Sequence, residues 1–160
     1  MKICVLVHST TGNTLKFAKL LDQRMKDQGH DVDLFELQTN EPVKNGTLHQ
    51  PMNFRIMNTP DISEYDAIVA GGPVWAFSIS TVIYKCLSSY ADLKGKKFVP
   101  FVTMGFPSPG MGGKQAIGTL SKIATEKGAE VLSGAVACKM FHNIGDMMEK
   151  EAERIAKILK

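Results

Sequence analysis

Apolar stretches alternate with helix-like stretches along this chain of 160 residues. Short, near-continuous apolar runs are typical of parallel strands that are covered on both faces. Five such runs predict strands, at residues 2–8, 31–37, 66–72, 97–103 and 130–136. Most of the intervening sequence predicts helices, and the last has an apolar residue every three or four positions. The alternation predicts an α/β fold, a doubly wound five-stranded parallel sheet with helices on both faces.

One segment interrupts this alternation. Residues 38–64 contain Pro42, Gly46, Pro51 and Pro60 and show little periodicity, where a regular fold of this class would have its second helix. Long irregular segments in compact domains are usually functional or disordered. We expect this segment either to border the ligand pocket or to form a subunit contact, and the sequence leaves an oligomer open.

Composition narrows the class of protein. With 44% hydrophobic residues, the chain can bury a sizeable core, and we expect one domain over residues 1–160. No apolar run approaches the ~20 residues of a membrane span and no secretory pattern opens the chain, so we expect a cytoplasmic protein without a membrane partner. Three separated cysteines without a CxxC pair favour buried thiols over disulfides or a metal site. The net charge is +3, but the lysines lack interleaved aromatics, so no nucleic-acid partner is expected.

The turn after the first predicted strand carries the strongest chemical signal. It consists of six small or polar residues, Ser9, Thr10, Thr11, Gly12, Asn13 and Thr14, and leads directly into a helix. Free N–H groups at a helix start, the helix dipole and hydroxyl donors together favour an anion, most simply a phosphate. An ordinary helix cap uses the same residue types, and that alternative stays open at this point.

Missing residues restrict the kind of phosphate. A triphosphate loop needs a lysine after its last glycine, but Asn13 follows Gly12 here. A dinucleotide fingerprint needs three spaced glycines, and only one is present. A turn of uncharged donors fits a single terminal monophosphate, such as that of FMN.

The same region resembles the FMN-phosphate signature of the flavodoxin family. The likeness rests on Ser9, Gly12, Thr14, Ala18 and Leu21, whereas Val7 stands where the family usually has an aromatic residue. The resemblance implies a noncovalently bound FMN and a sheet of order 2-1-3-4-5.

The segment after the third predicted strand contains Gly72, Pro73, Val74, Trp75, Ala76 and Phe77. It resembles the Gly-x-Pro-Val-aromatic loop of flavodoxin-like reductases, which implies contact with one face and edge of the isoalloxazine ring. We expect its glycines to let the backbone approach the ring, and Trp75 to stack on the ring from an exposed loop. The alternative is that Trp75 only packs over the sheet edge.

The segment after the fourth predicted strand begins with Met104, Gly105 and Phe106. The same resemblance implies that it contacts the other edge of the ring, although a turn-rich linker would have a similar composition. Electron-carrier flavodoxins often place a tyrosine here, whereas Phe106 is the only aromatic candidate in this loop. We therefore expect a more open ring face that can admit a substrate or nicotinamide. Residues 113–134 also resemble multimeric flavodoxin-type reductases related to quinone reductases.

Two functions follow from these features. The protein is expected to transfer electrons through FMN, either as a carrier that exchanges them with a redox partner protein or as an enzyme that oxidises NAD(P)H and reduces a quinone or similar small-molecule acceptor. No side chain is required as an acid or base, and His8 is expected to be a hydrogen-bonded structural residue. Because Asp92 is the only acidic residue between Gly71 and Gly113, we expect a less negative reduction potential than in acidic carriers.

Overall fold

The computed structural model describes residues 1–43 and 48–160, and strands alternate with helices along them. The strands are β1 Lys2–Val7, β2 Asp31–Glu36, β3 Ala67–Trp75, β4 Ser78–Ile79, β5 Lys97–Met104, β6 Glu130–Val131 and β7 Ala135–Cys138. The helices are α1 Asn13–Asp27, α2 Thr81–Ser89, α3 Gly113–Glu126 and α4 Ile144–Ile158.

The main strands form one parallel sheet in the order β2-β1-β3-β5-β6, and β7 continues the edge beside β5. This arrangement confirms the predicted doubly wound sheet of order 2-1-3-4-5. The short strand β4 is an addition, because it turns back and pairs antiparallel with the end of β3. That pairing extends β3 to Trp75, three residues beyond the predicted end. The prediction that Trp75 lies in an exposed loop was therefore wrong.

The fifth predicted strand is divided into β6 and β7. Phe98 of β5 pairs with Val131, and Phe101 pairs with Ala135, so the edge strand has one residue more than β5 between these pairs. Pro100 lies in that interval and has no N–H to donate, which favours a break in the ladder. Arg154 of α4 donates to the carbonyl of Gly134 at 2.6 Å and so ties the interruption to the last helix.

Two apolar cores lie on opposite faces of the sheet. Helices α1 and α4 cover one face, and α2 and α3 cover the other. Part of the second face is covered by the irregular segment, whose described residues contain no helix. Within it, Phe54 and Ile62 are buried, and an antiparallel bridge joins Thr39 to Ile56. Gly46, cited in the prediction for this segment, lies outside the described residues. No helix of the described ranges is long and apolar enough to cross a bilayer.

Candidate functional site

A hollow of about 290 Å³ lies where the carboxyl ends of β1, β3, β5 and β7 meet. This is the edge at which open parallel sheets bind their ligands. All three predicted site segments contribute to its walls. The lining residues are Thr10, Thr11, Asn13, Pro73, Val74, Trp75, Thr103, Met104, Gly105, Lys139 and Ile144.

The turn before α1 has the conformation of an anion site. Gly12 adopts a φ of 94°, in the left-handed region that favours glycine, and its carbonyl accepts the first helical hydrogen bond from Lys16 at 2.9 Å. Its own N–H donates to the Ser9 hydroxyl oxygen at 3.2 Å, so that amide is already used inside the fold. Six other backbone N–H groups find no partner within the described chain, those of Ser9, Thr10, Thr11, Asn13, Thr14 and Leu15.

The Thr14 side chain was predicted to bind the phosphate, but its hydroxyl contacts another residue of the protein. Its oxygen lies 2.7 Å from the hydroxyl oxygen of Thr103, and both side chains are buried. Such a pair uses only one of its two hydroxyl hydrogens, so the other can donate to a third group. Thr14 therefore joins the turn to the end of β5, and its side chain does not line the hollow.

Trp75 and His8 pack together between the turn and the ring side of the hollow. Trp75 is only 5% exposed, and the Trp75 and His8 rings form a T-shaped contact, with their planes at 87° and their centroids 5.3 Å apart. His8 Nδ1 lies 2.9 Å from the Ser80 hydroxyl oxygen, which is consistent with the predicted structural role. Burial lowers the pKa of His8 to about 4, so the ring is neutral near pH 7.

The two predicted ring-side glycines differ in what surrounds them. A side chain at Gly72 would lie 3.0 Å from the Ser80 hydroxyl and 3.1 Å from Ile83, so packing inside the protein explains this glycine. Gly105 has no atom within 4 Å of the position that a Cβ would take. Because Gly105 also lines the hollow, its missing side chain leaves space for a ligand.

Two of the predicted aromatic site residues, Phe77 and Phe106, lie outside the hollow. Phe77 and Phe106 are 56% and 42% exposed, and their rings stack on each other at 5.5 Å with an angle of 3°. Ala76 and Phe77 have φ values of 47° and 63°, in the left-handed region that residues other than glycine rarely adopt. Ser9, Gly12, Thr14, Gly72, Ala76, Phe77 and Phe106 are the predicted site residues that do not line the hollow.

Three lining residues were absent from the prediction, namely Thr103, Lys139 and Ile144. Lys139 and Ile144 follow β7, and the carboxyl end of a fifth parallel strand must reach the same edge as the others. This rule could have placed Lys139 at the site from the sequence alone. Thr103 lies inside a predicted strand, and only the observed register shows that its hydroxyl reaches Thr14.

The irregular segment borders the turn but not the main hollow. Residues 38–43 line a second hollow of about 390 Å³ together with His8, Ser9 and Thr10. Thr10 lines both hollows, so the segment meets the opposite side of the same turn. A subunit contact through this segment stays a prediction.

The donor set and shape fit a phosphomonoester joined to a flat ring. Unpaired amides at the start of α1 suit a phosphate. A hollow of about 290 Å³ is near the lower end for ligand pockets, so part of a flavin held there would face solvent. No acidic side chain of residues 1–43 or 48–160 lines the hollow, so none of the described wall residues repels an anion.

Comparison with known proteins agrees with this fit. A family model for NADPH-dependent FMN reductases matches residues 1–143, and no curated protein matches the chain. A flavodoxin of Streptococcus pneumoniae TIGR4 is 18% identical, with 99% of each chain covered and a TM-score of 0.68. Two-electron reduced Megasphaera elsdenii flavodoxin is 21% identical, with 97% of this chain and 98% of that chain covered and a TM-score of 0.67. At these identities, the structural likeness shows the fold alone.

Proposed function

The chain belongs to the NADPH-dependent FMN reductase family and is an FMN-binding, flavodoxin-like protein, and we propose that it is an enzyme that takes its electrons from NAD(P)H. The second substrate is a small-molecule acceptor such as a quinone. Both substrates use the same flavin in turn. The chemistry that FMN supplies when bound is two-electron exchange with a nicotinamide and transfer to the acceptor.

The chain's own residues bind and orient in this scheme. Backbone N–H groups of residues 10, 11 and 13–15 and the Ser9 hydroxyl hold the phosphate with uncharged donors. The Ser9 oxygen accepts from Gly12, which leaves its own hydrogen free to donate. Val74, Trp75, Met104 and Gly105 bound the space for the ring. No side chain has to move a proton.

The openness of the ring side is the observation that supports an enzyme. Trp75 is buried, and the two exposed rings, Phe77 and Phe106, stack on each other instead of lining the hollow. A flat second molecule can therefore approach a bound ring without displacing an aromatic cover. Hydride exchange requires such an approach, because the reacting atoms must come within about 3–3.5 Å of each other.

A protein carrier is the second candidate, and an exposed apolar rim favours it. Phe141 is 89% exposed at a φ of 62°, and Met140 beside it is 44% exposed. Exposed apolar residues near a redox site are typical of a docking surface for a protein partner. The rim and the open ring face can therefore be tested separately.

The deciding experiment is anaerobic addition of NADPH, and separately NADH, to the FMN-loaded protein with no other protein present. Rapid loss of the yellow colour is expected and supports the enzyme. Persistence of the colour with both nucleotides, while dithionite removes it, would contradict the proposal and favour the carrier. The variant Phe141→Ser changes only the exposed rim, so it is expected to bleach at the wild-type rate.

A further inference from the structure

Among the residues that the structure describes, Lys139 is the only one with a charged side chain that lines the hollow. The segments that form the walls contain no other Asp, Glu, Lys or Arg, as the sequence shows for residues 9–14, 71–80, 104–112 and 138–145. Among the described residues, none of the ion pairs within 4.0 Å involves Lys139. Its positive charge is therefore without a counter-charge from the protein at the wall of a site for an anionic cofactor.

The backbone fixes Lys139 beside the end of β5. Its N–H donates to the carbonyl of Met104 at 2.9 Å, and the next N–H, of Met140, donates to the carbonyl of Gly105 at 2.9 Å. Met104 and Gly105 are the residues that bound the ring space. These two bonds fix the backbone of Lys139 but not the direction of its side chain. The side chain is exposed, so it can extend over the hollow.

The strand order places the end of β7, and with it Lys139, three strands away from the end of β1. The turn follows β1, and β3 and β5 lie between β1 and β7. Three neighbouring strand spacings amount to about 14 Å. A lysine at the end of β7 is thus adjacent to the loop assigned to the ring edge, and the start of α1 reaches the neighbouring strand β5 through the bond between Thr14 and Thr103.

We propose that the Lys139 ammonium lies against the polar edge of the bound flavin ring and binds reduced FMN more tightly than oxidised FMN. Reduction adds negative charge to the ring, whereas the phosphate carries the same charge in both states. A fixed positive charge beside the ring therefore raises the reduction potential. The inference rests on the FMN site of the proposed function and is independent of NAD(P)H as the electron donor.

The test compares the two-electron midpoint potential of bound FMN in the wild type and in Lys139→Met. Dithionite supplies the electrons against a reference dye, so failure of NAD(P)H as a donor does not affect the result. Affinity for oxidised FMN is measured separately by titration. We expect affinity for reduced FMN to fall about tenfold more than affinity for oxidised FMN, which lowers the potential by about 30 mV.

Two variants act as matched controls. Lys139→Arg keeps the positive charge at the same position and is expected to retain a potential close to that of the wild type. Lys150→Met removes one positive charge from an exposed position of α4 outside the hollow, and it is expected to leave the potential unchanged.

Three results would overturn the proposal. Equal losses of affinity for oxidised and reduced FMN in Lys139→Met, with an unchanged potential, would assign Lys139 to the phosphate. Unchanged affinities in both states would show that the lysine points to solvent. If Lys139→Met and Lys150→Met lowered the potential equally, the effect would belong to the net charge of the chain and not to this position.

Discussion

The phosphate turn and the ring side of the hollow are constructed in opposite ways. The turn is six consecutive residues, shaped by Gly12 and by the start of α1, and it carries no charge. The ring side combines the ends of β3, β5 and β7, and Lys139 supplies the one charge among its described lining residues. The difference separates two properties. In the proposed function, the local turn sets how strongly the phosphate is held, and the long-range side sets which molecules reach the ring and at what potential it reacts.

The largest loss of stability is expected from a substitution that separates two strands of the ring side, β3 and β5. A side chain at Gly71 in β3 would overlap the backbone oxygen of Phe101 in β5. We expect Gly71→Ala to lower the free energy of unfolding by about 3 kcal/mol, the upper end for overpacking, and to weaken FMN binding with it. Urea unfolding measures the loss.

Gly118→Ala is the matched control for this change. Gly118 lies in α3 with no atom within 4 Å of a new Cβ, so the substitution should raise stability by roughly 0.5–1 kcal/mol. A stable Gly71→Ala protein with wild-type FMN affinity would show that the ring side tolerates separation of β3 from β5.

His8 lies between the two regions and should make stability depend on pH. Its pKa is about 4 in the folded protein because of burial, against about 6.5 in an unfolded chain. The unfolded state therefore binds more protons between these values, and stability falls as the pH decreases from about 6.5 to about 4. The loss that depends on His8 is up to about 3 kcal/mol.

Urea unfolding of the wild type and His8→Gln at several pH values isolates this contribution. The difference between the two proteins should change across that window, because only the wild type has the buried imidazole. Parallel curves would mean that His8 titrates in the folded protein as it does in the unfolded chain.

The substitution Ser9→Ala tests the phosphate turn. Loss of one hydrogen bond to a charged phosphate should weaken FMN binding by about 1.5–3 kcal/mol. The midpoint potential should stay unchanged, because both redox states carry the same phosphate. Fluorescence titration gives the affinity, and Ser121→Ala in α3, outside the hollow, is the control. A shifted potential in Ser9→Ala would remove the proposed separation of roles.

The smallest effect concerns the one side-chain bond that joins the two regions. Thr14→Val or Thr103→Val alone leaves a buried hydroxyl without its partner and should cost about 1–3 kcal/mol of stability. The double variant should cost little more than either single change. Additive losses in unfolding experiments without FMN would show that the two hydroxyls are not coupled.

The sequence was most informative where structure is local. The turn at residues 9–14 was predicted from contiguous residues, and apolar runs were sufficient for the sheet order once the resemblance was added. The break between β6 and β7 was missed because it depends on Pro100 in a neighbouring strand. The predicted position of Trp75 was wrong because it depends on the pairing of β3 with β4. A strand of two residues is too short to show a periodic pattern in the sequence.

Side-chain roles at the site were harder to predict than its location. All three predicted segments meet at one hollow, yet Phe77 and Phe106 stack beside it, and Thr14 turns towards Thr103. Composition does not specify where an aromatic ring points, because packing from distant strands decides it. Lys139 was missed because no recognisable motif follows the fifth predicted strand, although the geometry of parallel sheets brings the end of that strand to the same edge.

The central claim is that uncharged donors of residues 9–14 hold a phosphate monoester, and the most direct test compares FMN with riboflavin on the wild-type protein. The two ligands share the ring and differ in the phosphate. Two or more hydrogen bonds to a charged group predict that FMN binds at least about 100-fold more tightly. Equal affinities in a calorimetric titration would contradict the account.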